Sequence, residues 1–294
     1  MELERWAELS AAISAVAANF KRHARDRYST ALIVRVHLWA ALFDRPLAWA
    51  CEAKNWRPHT RPHQLPGQST MSRRTRRKDF EAFQALVGER MNGKLRPTPV
   101  RIIDGKALEL SNHSADPDAR WGRGVSRQSL GYKLHAVFSG NPMPDAFAVT
   151  ALDVSEKRMA VRLIKGTSGW GYLLGDGHFD ASWLFDYCRH HGLQLVCRRA
   201  KPGTGLGHRY VSAHRRRAID LLEVPAALNR FGRDLFKRRT EIERQFSQLV
   251  SFGGGLQVLP TWVRRIWRVR NWVMSKLLIN AARIRLNRKQ AVGA

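Results

Sequence analysis

The 294-residue sequence is short of cysteines, of long apolar runs and of acids. Its three cysteines, Cys51, Cys188 and Cys197, form no CxxC pair and no even framework. That excludes a disulfide scaffold and a structural zinc site, and it points to a reduced compartment. The most apolar stretch, 31–43, is interrupted by Arg35 and His37. It falls well short of the ~20 apolar residues that a membrane helix needs. Glu2, Glu4 and Glu8 are also out of place in the cationic start of a secretory leader. Membrane and export readings drop out, and a cytoplasmic location is expected.

Acids number only 24 against 51 Lys and Arg, which gives a net charge of +27. Hydrophobic residues make up 44% of the chain and include ten Trp, so there is ample material for a packed core and wholesale disorder is excluded. The length suits one core domain with a smaller accessory domain. So strong a positive charge attracts a polyanion, and with membranes excluded the expected partner is nucleic acid.

Residues 1–95 read as helical. Trp6, Leu9, Ile13, Val16 and Phe20 recur at spacings of three and four, the mark of one helix face. A second helix is expected from Ser29 or Thr30, either of which can cap it, to the stop at Asp44-Arg45-Pro46. After a Pro- and Gly-rich loop at 58–67, a capped start at Ser69-Thr70 leads into a cationic helix. It carries Arg73, Arg74, Arg76, Arg77 and Lys78, with Phe80, Phe83, Leu86 and Val87 behind. Such a helix suits a DNA groove. A solvated charged face is the plainer alternative.

The pattern changes after Pro97-Thr98-Pro99. Apolar runs at 100–104, 130–139 and 146–152 predict three successive strands, with a polar, Gly-rich loop over 106–128. A helix capped by Ser155, a strand at 172–177, a helix at 180–191 and a strand at 193–197 follow. A basic segment, a helix over 232–250 and a final helix carrying Trp262 to Asn280 complete the chain. Meandering strands followed by alternating helices and strands predict a mixed sheet with helices packed on it, an α/β or α+β fold behind a helical domain.

In so basic a chain the positions of the acids carry information. Asp104 closes the first predicted strand and Asp176 the fourth. If those strands are parallel neighbours, both carboxylates emerge at one edge of the sheet, where α/β folds place ligands. Glu243, four residues after Arg239, can join them if its helix packs across the sheet. Three converging carboxylates call for a hard divalent cation such as Mg2+. A pair of such ions can activate a water or a 3′-hydroxyl for phosphodiester chemistry. Taken singly, Asp104 and Asp176 also fit turns before Gly105 and Gly177, and Glu243 fits an i,i+4 pair with Arg239. Lys133 and His135 lie on the second strand near Asp104. His178 reads as a loop residue and Gly253-Gly254-Gly255 as a turn.

Together, VRIIDGKAL (100–108), LGYKLHAVFSG (130–140), LLGDGHFDA (173–181) and RRTEIERQFSQL (238–249) resemble the DDE transposases of bacterial insertion sequences. The resemblance spans 98–285. Over 1–95 it lies in kind, in helices and in the LPGQSTMSRRTRR stretch (65–77). One branch of the family carries Tyr-x2-Arg-x3-Glu-x6-Lys, which falls here on Phe236, Arg239, Glu243 and Val250, so the second and third positions match. The match selects Glu243 over Glu241.

The resemblance implies an RNase H-like mixed sheet flanked by helices over 96–290, with a short basic insertion near 198–231. A small all-helical DNA-binding domain over 1–95 precedes it. It implies catalytic Asp104, Asp176 and Glu243 holding two Mg2+ ions, with Mn2+ as a substitute, and a supporting Arg239. The implied reaction is cleavage at element ends and transfer of the 3′-hydroxyl into target DNA. The implied partners are double-stranded terminal inverted repeats and target DNA, held by a dimer in the nucleoid of a bacterial cytoplasm. Two rival readings are a catalytically inactive, transposase-derived DNA-binding protein and a nuclease of the same fold acting on RNA or hybrid duplexes.

Overall fold

The computed structural model describes residues 2–292 apart from 22, 94–97, 168, 204–210, 224, 226–229, 241–243, 245–246, 248, 250–255 and 257–258. The first part of the chain holds helices α1 (Glu2–Ala17), α2 (Thr30–Leu42), α3 (Leu47–Ala50), α4 (Gln68–Arg74) and α5 (Lys78–Asn92). Strands β1 (Val100–Glu109), β2 (Arg120–Arg123), β3 (Gln128–Phe138) and β4 (Ala146–Ala151) follow. Next come α6 (Glu156–Lys165), β5 (Gly171–Leu174), α7 (Ser182–His190) and β6 (Leu193–Val196). The last described helices are α8 (Ala213–Glu223), α9 (Phe231–Lys237) and α10 (Ile266–Val292).

By packing, these elements form two compact units. A helical unit takes residues 1–94, 115–118 and 248–294, and a sheet unit takes 95–114 and 119–247. This differs from the sequence-based expectation of a 1–95 domain followed by a 96–290 domain, because α10 packs with the N-terminal helices. Its side chains provide the reason. Ser275 Oγ lies 3.0 Å from the His37 ring and accepts from Gln84 at 3.3 Å. Asn271 donates to the Thr75 carbonyl at 2.8 Å, and Lys276 donates to the Ala41 carbonyl at 2.8 Å while pairing with Asp44. Arg285 and Lys289 both pair with Glu8 of α1. The start of α10 is capped from a distance, as the Arg265 and Ile266 amides donate to Asp116 and Asp118 at 2.9 and 3.0 Å.

Within the helical unit the expected face of α1 is buried through Trp6, Leu9 and Ile13. Trp6 meets Trp39 edge-on at 4.8 Å, and Trp39 stacks on Trp56 at 4.5 Å, so these indoles are core. Ser29 supplies the α2 cap, its Oγ accepting from the Leu32 amide at 3.2 Å. Asp44, at φ 51°, stands in the turn that follows α2, as its stop signal predicts.

The cationic stretch differs from the expected single capped helix. It is split between α4, which starts from Gly67 without a side-chain cap, and α5. Arg73, Arg76 and Lys78 are exposed. Arg74 is buried and pairs with Asp26 at 3.1 Å and Asp79 at 3.6 Å. Arg77 pairs with the same two acids at 2.9 Å each. Two of the five basic residues expected on a DNA-facing side are therefore held in ion pairs inside the helical unit, and Arg76, though exposed, lies over the Trp267 ring at 4.7 Å.

The sheet unit is a mixed six-stranded sheet of order β2-β3-β1-β5-β6, with β4 also on β3. β3 runs antiparallel to β1, β2 and β4, while β1, β5 and β6 are parallel. Helices α6 and α7 cover one face, where Leu163, Ile164, Leu184 and Phe185 meet Ile103, Val137, Leu173 and Leu195 in a buried core. The mixed sheet with packed helices agrees with the expected α/β (α+β) class. β1 is longer than its apolar run, continuing through Glu109 because β3 pairs with it from Ile102↔Phe138 to Glu109↔Gly131. The expected loop over 106–128 also contains β2. Among the described residues no helix is long and apolar enough to cross a membrane.

Candidate active site

β1 has a parallel neighbour only over its first residues, Val100 to Ile102, where Ile102 pairs with Leu174 at the end of β5. Beyond that point β1 keeps only its antiparallel partner. Extending the register by two residues brings Asp104 level with Asp176. Pleat alternation puts Ile102 and Asp104 on the sheet face opposite Ile103, which points into the α6–α7 core. Asp104 thus sits inside β1 rather than at its end, but at the place where parallel pairing stops.

The environment of Asp104 matches this placement. Burial, followed by the negative charges of Asp176 and Glu156, pushes its carboxyl up to about 6, against an opposing Gly105 N–H and Arg239. Its Oδ1 accepts from the Gly105 amide at 2.7 Å. Asp176 accepts from the His178 amide at 2.9 Å and lies 2.7 Å from the His178 ring, which fixes the turn Gly177–Phe179 after β5.

Sequence reasoning missed Glu156. It is the first residue of α6, and an acid there reads as an ordinary helix start. In the structure its carboxylate lies over Gly105, so close that a Cβ on Gly105 would stand 2.8 Å from Oε1. The Lys133 ammonium pairs with it at 3.0 Å. Glu156, Asp176 and His178 each offer a ligand atom within 4.8 Å of the others. Two carboxylates and an imidazole form a donor set that could hold a divalent cation. The His178 side chain, expected to be a plain loop residue, is thus part of this cluster.

Glu243, Glu241, Val250 and Gly253-Gly254-Gly255 lie outside the described residues. Arg239 is described, in the turn after α9, with its guanidinium 5.7 Å from the Phe236 ring. Arg198, which follows β6, covers the same ring at 5.5 Å. Asp176, Glu156 and Arg239 all act electrostatically on Asp104, and Glu156, Asp176 and His178 form a cluster of possible ligand atoms. His135 is 2% exposed, and its ring is 2.9 Å from Thr150 Oγ1. Burial and Lys133 push that imidazole down to about 4, so it serves as a buried neutral link between β3 and β4.

Behind the cluster, Asp180 is held by paired bonds from Arg215 at 2.6 and 2.8 Å and by the Ala200 amide at 3.0 Å. Burial raises its pKa, but Arg215 overrides this and keeps the carboxyl below its usual range. This anchor ties the turn after Asp176 to α8 and to the chain leaving β6.

The Asp104 carboxyl couples stability to pH. It titrates near 3.8 when unfolded and near 6 when folded, so between those values the folded chain binds more protons. The contribution of Asp104 to the stability of the metal-free protein should fall as pH rises from about 4 to about 6, against the opposite trend from the buried imidazoles of His37 and His135, each held down to about 4. Thermal melts of the wild type and of Asp104→Asn across that window should diverge, the variant gaining stability relative to the wild type as pH rises.

Residues 95–275 match the Transposase DDE domain family, well over half of the chain. A cryo-EM structure of piggyBac transposase, in a synaptic complex with hairpin DNA, aligns at 11% identity and a TM-score of 0.47. That alignment covers 96% of this chain and 71% of that one. No curated protein matches the sequence. With the domain match spanning the whole sheet and both aspartates, the chain belongs to the Transposase DDE domain family.

Proposed function

We propose that the protein is a metal-dependent DNA transposase that cleaves at the ends of its element and transfers the freed 3′-hydroxyl into target DNA. The observation that supports this reading is the parallel β1–β5 register, whose last pair, Ile102 and Leu174, stands two residues before Asp104 and two before Asp176. Asp104, Asp176 and Glu243 are the proposed catalytic acids and metal ligands, with Glu156 and His178 beside them. Bound divalent ions, Mg2+ or Mn2+, would supply Lewis-acid charge and a lowered pKa for the attacking hydroxyl.

The chain's own residues provide the rest. The Asp104 and Asp176 carboxylates hold negative charge at one sheet edge, and Lys133 keeps Glu156 oriented through its 3.0 Å pair. Arg239, whose charge acts on Asp104, is the proposed residue that steadies the site or meets a phosphate. Exposed Arg73, Arg76 and Lys78 remain proposed DNA contacts of the N-terminal region, and residues 1–95 its DNA-binding part. Strand transfer joins two ends, which makes a dimer on DNA the proposed assembly.

The test incubates the protein and Mg2+ with DNA from the immediate flanks of its coding region, with unrelated duplex and with an RNA–DNA hybrid. Nicking at discrete positions of the flanking DNA is expected. Preference for the hybrid would favour a nuclease of this fold. Binding without cleavage would favour a transposase-derived DNA-binding protein.

A further inference from the structure

The hairpin joining β2 to β3 presents a surface that the proposed site does not use. β2 runs at the sheet edge, and the Gly124 amide closes the turn by donating to the Arg127 carbonyl at 2.8 Å. Trp121 is 55% exposed and Val125 56%. Trp121 pairs with Leu130 and Arg123 with Gln128, so the indole and the Arg123 side chain share one face of the ribbon. Arg120 and Arg127 are exposed as well.

The hairpin is held in shape. Glu109 accepts from the Val125 amide at 2.7 Å and from Ser129 Oγ at 3.1 Å, so the acid beside the tip is used to fix it. At Gly122 an added Cβ would stand 2.7 Å from the Leu152 carbonyl, which shows how closely β2 lies against the chain leaving β4. Edge-strand arginines discourage strand-to-strand aggregation, but that purpose gives no reason for an exposed indole beside them. Guanidinium groups flanking an apolar side chain suit a nucleic-acid duplex, where cations take phosphates and an apolar wedge enters a base step.

We infer that the β2–β3 hairpin is a duplex-DNA contact in which Arg123 and Arg127 bind backbone phosphates and Trp121 wedges against a base step. The inference rests on the DNA-acting reading of the protein but not on its cleavage chemistry. It is tested without divalent metal, using the full chain and a short mixed-sequence duplex carrying 2-aminopurine beside a TA step. Affinity is followed by fluorescence anisotropy across salt concentrations, and unstacking by 2-aminopurine emission.

The double variant R123A/R127A should bind roughly 10-fold more weakly and reduce the logarithmic salt slope by about 2. Trp121→Ala should keep the slope and lose the rise in 2-aminopurine emission. Thermal melts should be unchanged for both, because these side chains are exposed. Unchanged affinity and slope in R123A/R127A would overturn the phosphate assignment, and an emission rise that survives Trp121→Ala would overturn the wedge. Cleavage of the flanking DNA is scored separately, so a protein that binds through the hairpin yet never cuts would lose only the transposase reading.

Discussion

Asp176→Asn should abolish cleavage of element-end DNA, by roughly 10³-fold or more, while binding to that DNA persists. Replacing even an outer-shell partner of a metal site costs about 10–100-fold, and the loss of a charged ligand removes more. A 10³-fold loss corresponds to about 4 kcal/mol in the barrier. The amide is nearly the same size as the carboxylate, and its carbonyl can still accept from the His178 backbone N–H that organises the turn. The fold should therefore survive, and an unchanged thermal melt would show that it does. Single-turnover nicking in Mg2+ provides the rate, and anisotropy provides the binding. Undiminished nicking would remove Asp176 from the site.

The second large effect is expected far from any chemistry. Arg74→Ala should lower stability by about 3 kcal/mol, read from urea unfolding. The side chain is buried and contacts Asp26 and Asp79, and it also donates to the Tyr28 carbonyl at 2.8 Å and Thr30 Oγ1 at 3.1 Å. Removing it strips two poorly solvated carboxylates of a cation and leaves a backbone acceptor without its donor. Arg77 still pairs with both acids, which keeps the loss near the lower end for buried pairs. Its neighbour Arg73 is exposed, so Arg73→Ala should stay within about 0.5 kcal/mol. If Arg73 meets a phosphate, that variant should also lower the logarithmic salt slope of DNA binding by about 1. Equal destabilisation by both variants would contradict this division of labour.

That contrast shows where sequence reasoning succeeds and where it stops. Spacing identified the buried faces of α1 and α2, and apolar runs found β3, β4 and β6, because these signals are local. The run of basic residues at 73–78 carried no sign of which ones turn inward, since their partner Asp26 lies almost fifty positions away. β1 was legible only through Asp104, because its second half, Gly105 to Glu109, is half-buried and draws its pairing from β3. β2 has four residues, three of them exposed, and no hydrophobic alternation to reveal it.

The aspartates were legible because acids are scarce and both precede glycine after an apolar run. Glu156 was not. Its approach to the site depends on Gly105 lacking a side chain and on α6 starting over β1, relations between residues about fifty positions apart. In the sequence alone Gly105 reads as a turn signal. Its small size is needed instead to admit a carboxylate from the neighbouring layer.

The helical unit is assembled from both ends of the chain, with residues 95–114 and 119–247 inserted between its parts. Synthesis on the ribosome therefore reverses the expected order of completion. The sheet residues emerge and can fold while α1, α2 and α5 still lack α10, the helix that covers His37, Gln84 and Ala41. A nascent or prematurely stopped chain ending after the sheet would carry the folded sheet together with helices whose apolar faces are uncovered. Such fragments are natural targets for chaperones and proteases. Nonsense mutations between the sheet and α10 should therefore lower the amount of protein while leaving Asp104 and Asp176 in the chain.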